Sequence, residues 1–205
     1  MNYTQKEIRL GGVSTSEIEI RDILKAWIAI SLAFAIALSH DLAGFYSKFV
    51  MASLTVGIGF LLHEMGHKVV AQKYGCSAEF RSFDNMLLIA IAMSFFGFIF
   101  AAPGAVMISG RVNKEKSGRI SAAGPVINLV LALAFLILVF LPLSSLFKSA
   151  AYYGFLINSW LALFNMIPFW LFDGYKILKW NKIAYGIIVA AAFAFMLAQN
   201  FISIA

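Results

Sequence analysis

Hydrophobic residues in this chain gather in long continuous runs, not the one-sided stripes of a soluble helix, and the polar residues fall into short segments between them. Runs at about 23–40, 45–71, 120–141, 150–172 and 183–204 are long enough to predict membrane-spanning helices, the first with a short core and a Lys25 able to snorkel. Ahead of them, residues 1–22 are polar. Alternation at Glu7-Ile8-Arg9-Leu10 and at Glu17-Ile18-Glu19-Ile20, around Gly11-Gly12, predicts a small β-hairpin there. Residues 76–83 also alternate as a strand. The segment 86–109 is apolar for long enough to span, but Gly97 and Pro103-Gly104 interrupt it. Gly124-Pro125 falls in the first turn of the run at 120–141, where proline is tolerated. There is no internal repeat and no second soluble domain, so the organisation read here is a polar segment, 1–22, followed by one transmembrane domain, 23–205.

Composition supports the pattern. At 61% hydrophobic and 13% charged, with a mean hydropathy of +0.86, the chain is not a soluble globular protein. The net charge of +6 could suggest nucleic acid, but the basic residues cluster between apolar runs, as in the cytoplasmic loops of a membrane protein, and no nucleic-acid partner is expected. The single Cys76 excludes an intrachain disulfide. The first apolar run starts behind a long polar stretch, which predicts a retained anchor and not a cleaved signal peptide.

Chemistry enters at His63-Glu64-Met65-Gly66-His67, inside the second run. Residues four apart share a helix face, so both imidazoles can meet one metal ion, with the Glu64 carboxylate beside it as a base for water. Three ionisable side chains at membrane depth read as a functional site by default. A catalytic zinc of this kind needs a third protein ligand. The chain has four aspartates: Asp22 and Asp41 flank the first run, Asp84 lies in a polar loop, and Asp173 ends the long run at 150–172. Alone, Asp173 could equally be an interfacial residue before Gly174. It reaches the depth of the histidines only if both helices run the same way, which requires 86–109 to enter and leave by one face. With that segment re-entrant and the N-terminus cytoplasmic, every Lys and Arg except Lys48 and Lys148 lies inside; a full crossing moves the clusters at 111–119 and 176–182 outside. Charge sorting therefore favours the topology that closes the metal site.

These residues resemble the site-2 protease family of intramembrane zinc metalloproteases, over roughly 45–180. The resemblance rests on His63-Glu64-Met65-Gly66-His67, on Ala123-Gly124-Pro125-Val126-Ile127-Asn128, and on Asn165-x-x-Pro168 followed by Asp173-Gly174, in that order. Pro103-Gly104-Ala105-Val106 is similar to the family's strand segment, whereas Phe169-Trp170-Leu171-Phe172 departs from the prolines and leucine common before its Asp-Gly. The resemblance implies one catalytic zinc held by His63, His67 and Asp173, Glu64 as general base and acid, and Asn165 supporting the developing oxyanion. The expected fold is an all-α polytopic membrane protein with about five to six transmembrane helices, a re-entrant segment and short β-strands near the active site. The expected substrate is a peptide bond in or near a transmembrane segment of another membrane protein, locally unwound and held by strand addition at 76–83 or 105–112, unless those strands simply pair with each other. The expected location is the cell membrane, with the site near the cytoplasmic face. The competing reading is a non-proteolytic membrane zinc-binding or transport protein, which would use the same ligands without Glu64. Asn128 and Asn158 read as packing or hydrogen-bonding positions.

Overall fold

Ser16 decides where the first helix begins. Its hydroxyl accepts a hydrogen bond from the Glu19 backbone N–H at 3.2 Å and caps α1 (Glu17–Leu38). The hairpin is therefore β1 (Glu7–Leu10) against β2 (Val13–Ser16), antiparallel, and Glu17-Ile18-Glu19-Ile20 opens the helix instead of forming a strand. A Ser-x-x-Glu start signal outweighs four residues of alternation.

This computed structural model describes residues 7–10, 12–39, 44–99 and 103–202. Gly11 of the predicted turn, Asp41, residues 100–102 of the predicted re-entrant segment and the far ends of the first and last predicted spans lie outside them. After α1 come α2 (Phe45–Ala52), a π-helical turn at Ser53–Gly57, and α3 (Ile58–Lys73). Strand β3 (Ser77–Ser82), α4 (Asp84–Ser94), β4 (Gly104–Ser109) and α5 (Lys114–Val139) follow. The chain continues as α6 (Ser145–Asn165), α7 (Asp173–Trp180) and α8 (Lys182–Ala198). Among the described residues, three helical stretches are long and apolar enough to cross a membrane: Phe45–Lys73, Lys114–Val139 and Lys182–Phe201. The predicted spans at 23–40 and 150–172 correspond to α1 and α6. Charged residues crowd the start of α1, and α6 stops at Asn165.

The chain divides into two compact units, Met1–Ser53 with Lys68–Arg111, and Leu54–His67 with Val112–Ala205. In the first, α1 packs on α2, α4 and β3. Its centre is a buried ion pair between Glu19 and Lys68. Glu19 also accepts from Thr15 Oγ1 at 2.7 Å and from the Phe80 backbone N–H at 2.8 Å, so little of its hydrogen-bonding capacity goes unused. Strands β3 and β4 pair antiparallel from Ser77 opposite Ser109 to Ser82 opposite Gly104, so these two predicted strands do pair with each other. The outer edge of β3 is covered by side chains: Gln72 donates to the Ala78 carbonyl, Glu19 accepts from Phe80 N–H, and Asp22 accepts from Ser82 N–H at 3.3 Å. Ala78, Phe80 and Ser82 direct backbone groups away from β4, so they form non-hydrogen-bonded pairs with Ile108, Val106 and Gly104, whose backbone groups in turn face the other edge of β4. Among the described residues no strand pairs with that edge.

In the second unit α5 packs against α6, α7 and α8. Asn113 caps α5 by accepting from Lys116 N–H at 2.8 Å, which starts the helix at Lys114. Gly124-Pro125 consequently lies in the helix interior, not in its first turn, and Pro125 has no N–H for the Ser121 carbonyl. The α6–α7 connection is set by Pro168, which lacks a donor and disfavours helix at the residue before it. Met166, Ile177 and Ile188 form a core beneath that connection.

Candidate metal centre

Helix α3 presents His63 and His67 one turn apart, ring centroids 4.7 Å from each other and nearly perpendicular. Asp173 is the first residue of α7, and its placement follows from the contact behind it. A Cβ on Gly174 would lie 2.7 Å from Met166 Cα, so only glycine lets α7 start against the end of α6. Tyr185 donates its hydroxyl to the Met166 carbonyl at 2.9 Å and holds the same turn.

The three side chains converge on one point. Asp173 Oδ2 is 3.2 Å from His63 Nε2 and 3.0 Å from His67 Nε2. The other imidazole nitrogens are already engaged: His63 Nδ1 donates to Asn128 Oδ1 at 2.5 Å, and His67 Nδ1 donates to the Ile120 carbonyl at 2.8 Å. With Nδ1 donating outward, Nε2 of each ring is the nitrogen turned to the same place, the arrangement in which an outer hydrogen bond orients a metal-binding histidine. Ligands about 2.1 Å from a tetrahedral zinc sit roughly 3.4 Å apart, so the two carboxylate–imidazole separations fit within a few tenths of an ångström, and all three ligand atoms lie within 4.8 Å of one another. The donor set of two neutral imidazoles and one carboxylate also suits zinc. Both histidines are buried, and among the described residues His63, His67 and Asp173 are the group of ligand-type side chains close enough to hold a metal ion.

Gly124 supplies the space. A Cβ there would meet His63 Nε2 at 2.5 Å and His67 Cε1 at 2.6 Å, so α5 can lie over the two rings only without a side chain at that position. In the sequence Gly124 appears only as part of the Gly-Pro pattern; its spacing to the histidines is not local, and no pattern along the chain gives it. Glu64 lies half-buried on the same helix, next to His63. Asn165, at the end of α6, donates its amide to the Leu161 carbonyl of its own helix at 2.9 Å. Asn128 and Asn158 are fully buried and hydrogen-bonded to each other, in keeping with the structural role read for them.

A protein of Methanocaldococcus jannaschii provisionally named a zinc metalloprotease is 38% identical to this chain over 190 residues, 91% of the chain and 96% of the relative. A second protein of that organism, named a zinc metalloprotease, is 28% identical over 180 residues, 87% of this chain but 45% of the longer relative. No family model matches the chain, and no solved structure matches it.

Proposed function

Because the chain belongs to the zinc metalloprotease family of its M. jannaschii relatives, we propose that it is an intramembrane endopeptidase of the site-2 protease type. It cuts peptide bonds in or near transmembrane segments of other membrane proteins. The observation that carries this reading is the convergence of two buried imidazole Nε2 atoms and one carboxylate oxygen on a single point, beside a glutamate on the same helix. Ionisable groups are costly in an apolar helix unless they are used.

His63, His67 and Asp173 hold the zinc. When bound, zinc supplies Lewis acidity, bringing water's pKa toward neutrality and polarising the carbonyl under attack. Glu64 takes the proton of the attacking water and returns it to the leaving amine. Asn165 supports the developing oxyanion through its amide. The substrate is bound as an extended segment along the open edge of β4, where Gly104, Val106 and Ile108 offer backbone donors and acceptors in strand spacing. That requirement selects transmembrane helices that unwind readily. The full architecture is five to six spans with 86–109 returning to the side it enters from, and the N-terminus and the site lie toward the cytoplasm of the cell membrane.

The test is reconstitution of the purified chain in liposomes with a single-span substrate. One zinc per chain, cleavage in or near the span, arrest by a chelator and recovery on adding zinc are the expected results. Cleavage that continues in the zinc-stripped protein would overturn the proposal.

A further inference from the structure

We propose that the outer face of α7, with the first residues of α5 and α8, is a headgroup site for anionic phospholipid. Three stretches of the second unit meet there. Helix α5 begins at Lys114 and carries Lys116 and Arg119, α7 carries Lys176 and Lys179, and α8 begins at Lys182. Helix α7 packs on both α5 and α8, so these cations gather at one end of the unit. Acidic side chains do little to neutralise them. Glu115 pairs with Arg119 at 2.8 Å, Asp173 belongs to the metal centre, and residues 174–205 contain no Asp or Glu. Lys114, Lys176, Lys179 and Lys182 are all exposed.

A surplus of positive charge is enough to orient a membrane protein. Two features go further than that. First, aromatic rings hold two of the cations: the Lys179 ammonium lies 4.2 Å from the Tyr175 ring centre, and the Arg119 guanidinium 5.7 Å from that of Trp180. Trp180 is itself seated on α5, where a Cβ on Gly118 would lie 2.2 Å from its own Cβ. Tyr and Trp are the side chains that favour headgroup level. Second, exposed apolar surface begins directly after the cations. Ile183 and Ile187 follow Lys182 on α8, and Val126, Val130 and Leu133 are exposed along α5. Both helices are long and apolar enough to cross a membrane. Cations followed by an apolar stripe match a phospholipid, its phosphate at the lysines and its acyl chains along the helices. A soluble anion would use only the first of these. The inner side of α7 is already occupied, because Ile177 is fully buried in the core with Met166 and Ile188. Eight residues are too few for an independently stable helix, so α7 depends on what holds its two faces. Asp173 opens this helix, and headgroups on its outer face therefore set the level of that residue at the membrane surface.

The consequence for Asp173 rests on the zinc reading above, but the lipid site is measurable without metal. The experiment reconstitutes the full chain in phosphatidylcholine vesicles holding a trace of phosphatidylglycerol with a photoreactive group beside its phosphate. Crosslinked peptides are located by mass spectrometry. Labelling is expected at 175–183 and 114–119, with unlabelled phosphatidylglycerol competing and phosphatidylcholine not. Each basic residue near an anionic surface is worth about a 5-fold preference, so Lys176→Gln/Lys179→Gln/Lys182→Gln should lower labelling at least about 10-fold. The same three positions changed to Arg should keep it, which separates charge from a fault in folding. Undiminished labelling of the Gln variant, or equal labelling of the same peptides by a phosphatidylcholine probe, overturns the proposal. So does inorganic phosphate competing as well as phosphatidylglycerol, which would make this a general anion site. A chain that labels as expected but binds no zinc would overturn the metal reading and leave the lipid site standing.

Discussion

A single methyl group is enough to test the space around the ligands. Gly124→Ala would place carbon 2.5 Å from His63 Nε2, closer than any packed contact permits, so one of the rings must turn. Zinc affinity is expected to fall by about 10- to 100-fold, as when an imidazole loses its orientation, while circular dichroism keeps its helical signal. Asp173→Asn keeps the shape of the ligand and removes its charge. It is expected to lose zinc at chelator concentrations that wild type withstands, and retained metal in that variant would move the third ligand elsewhere. At this scale much of the site is legible in the sequence. His63, Glu64 and His67 are i, i+1 and i+4 on one helix, so their relation is local. Asp173 follows from a short supply of aspartates and the direction of two helices. The Ile120 carbonyl behind His67 is not legible, because no side chain marks it.

Among the elements, the least legible feature is the start of α1. Lys68 counts in the sequence as one more cytoplasmic positive charge, yet it is buried against Glu19, 49 residues earlier. Only tertiary structure pairs residues that far apart, though a lysine directly after His67 on an apolar helix is a signal that a partner exists. Removing one member of such a pair strands the other: Lys68→Met or Glu19→Gln should each destabilise by about 3–5 kcal/mol, and the Glu19→Gln/Lys68→Met double variant should lose clearly less than the sum of the two. Thermal unfolding in detergent across the four proteins measures the coupling. Glu19 also covers the outer edge of β3, and among the described residues no strand pairs with the other edge of β4, the edge proposed above for the substrate. Val106→Pro removes an outward N–H without touching the β3 ladder, as proline does on edge strands. It should lower substrate cleavage with zinc content unchanged, whereas Val106→Ala should cleave normally. Pro125 teaches the opposite lesson about boundaries. It reads as a first-turn proline until Asn113 is seen to start the helix earlier.

For the whole molecule, the family relation and the metal geometry support the same chemistry from separate observations. The membrane topology proposed here has its own test. Single cysteines at Lys116 and Lys148, in a background with Cys76 replaced, should react with a membrane-impermeant maleimide from opposite faces of the membrane, 116 from the cytoplasmic side; labelling from one face would break the charge-sorted topology. The central claim, that this centre hydrolyses peptide bonds and does not merely hold zinc, turns on Glu64, because a binding or transport protein with the same three ligands has no use for it. The decisive measurement is zinc content and substrate cleavage for Glu64→Gln beside wild type in liposomes. One zinc per chain with cleavage reduced by about 10²- to 10⁴-fold is the predicted result; zinc still bound and cleavage undiminished would contradict it.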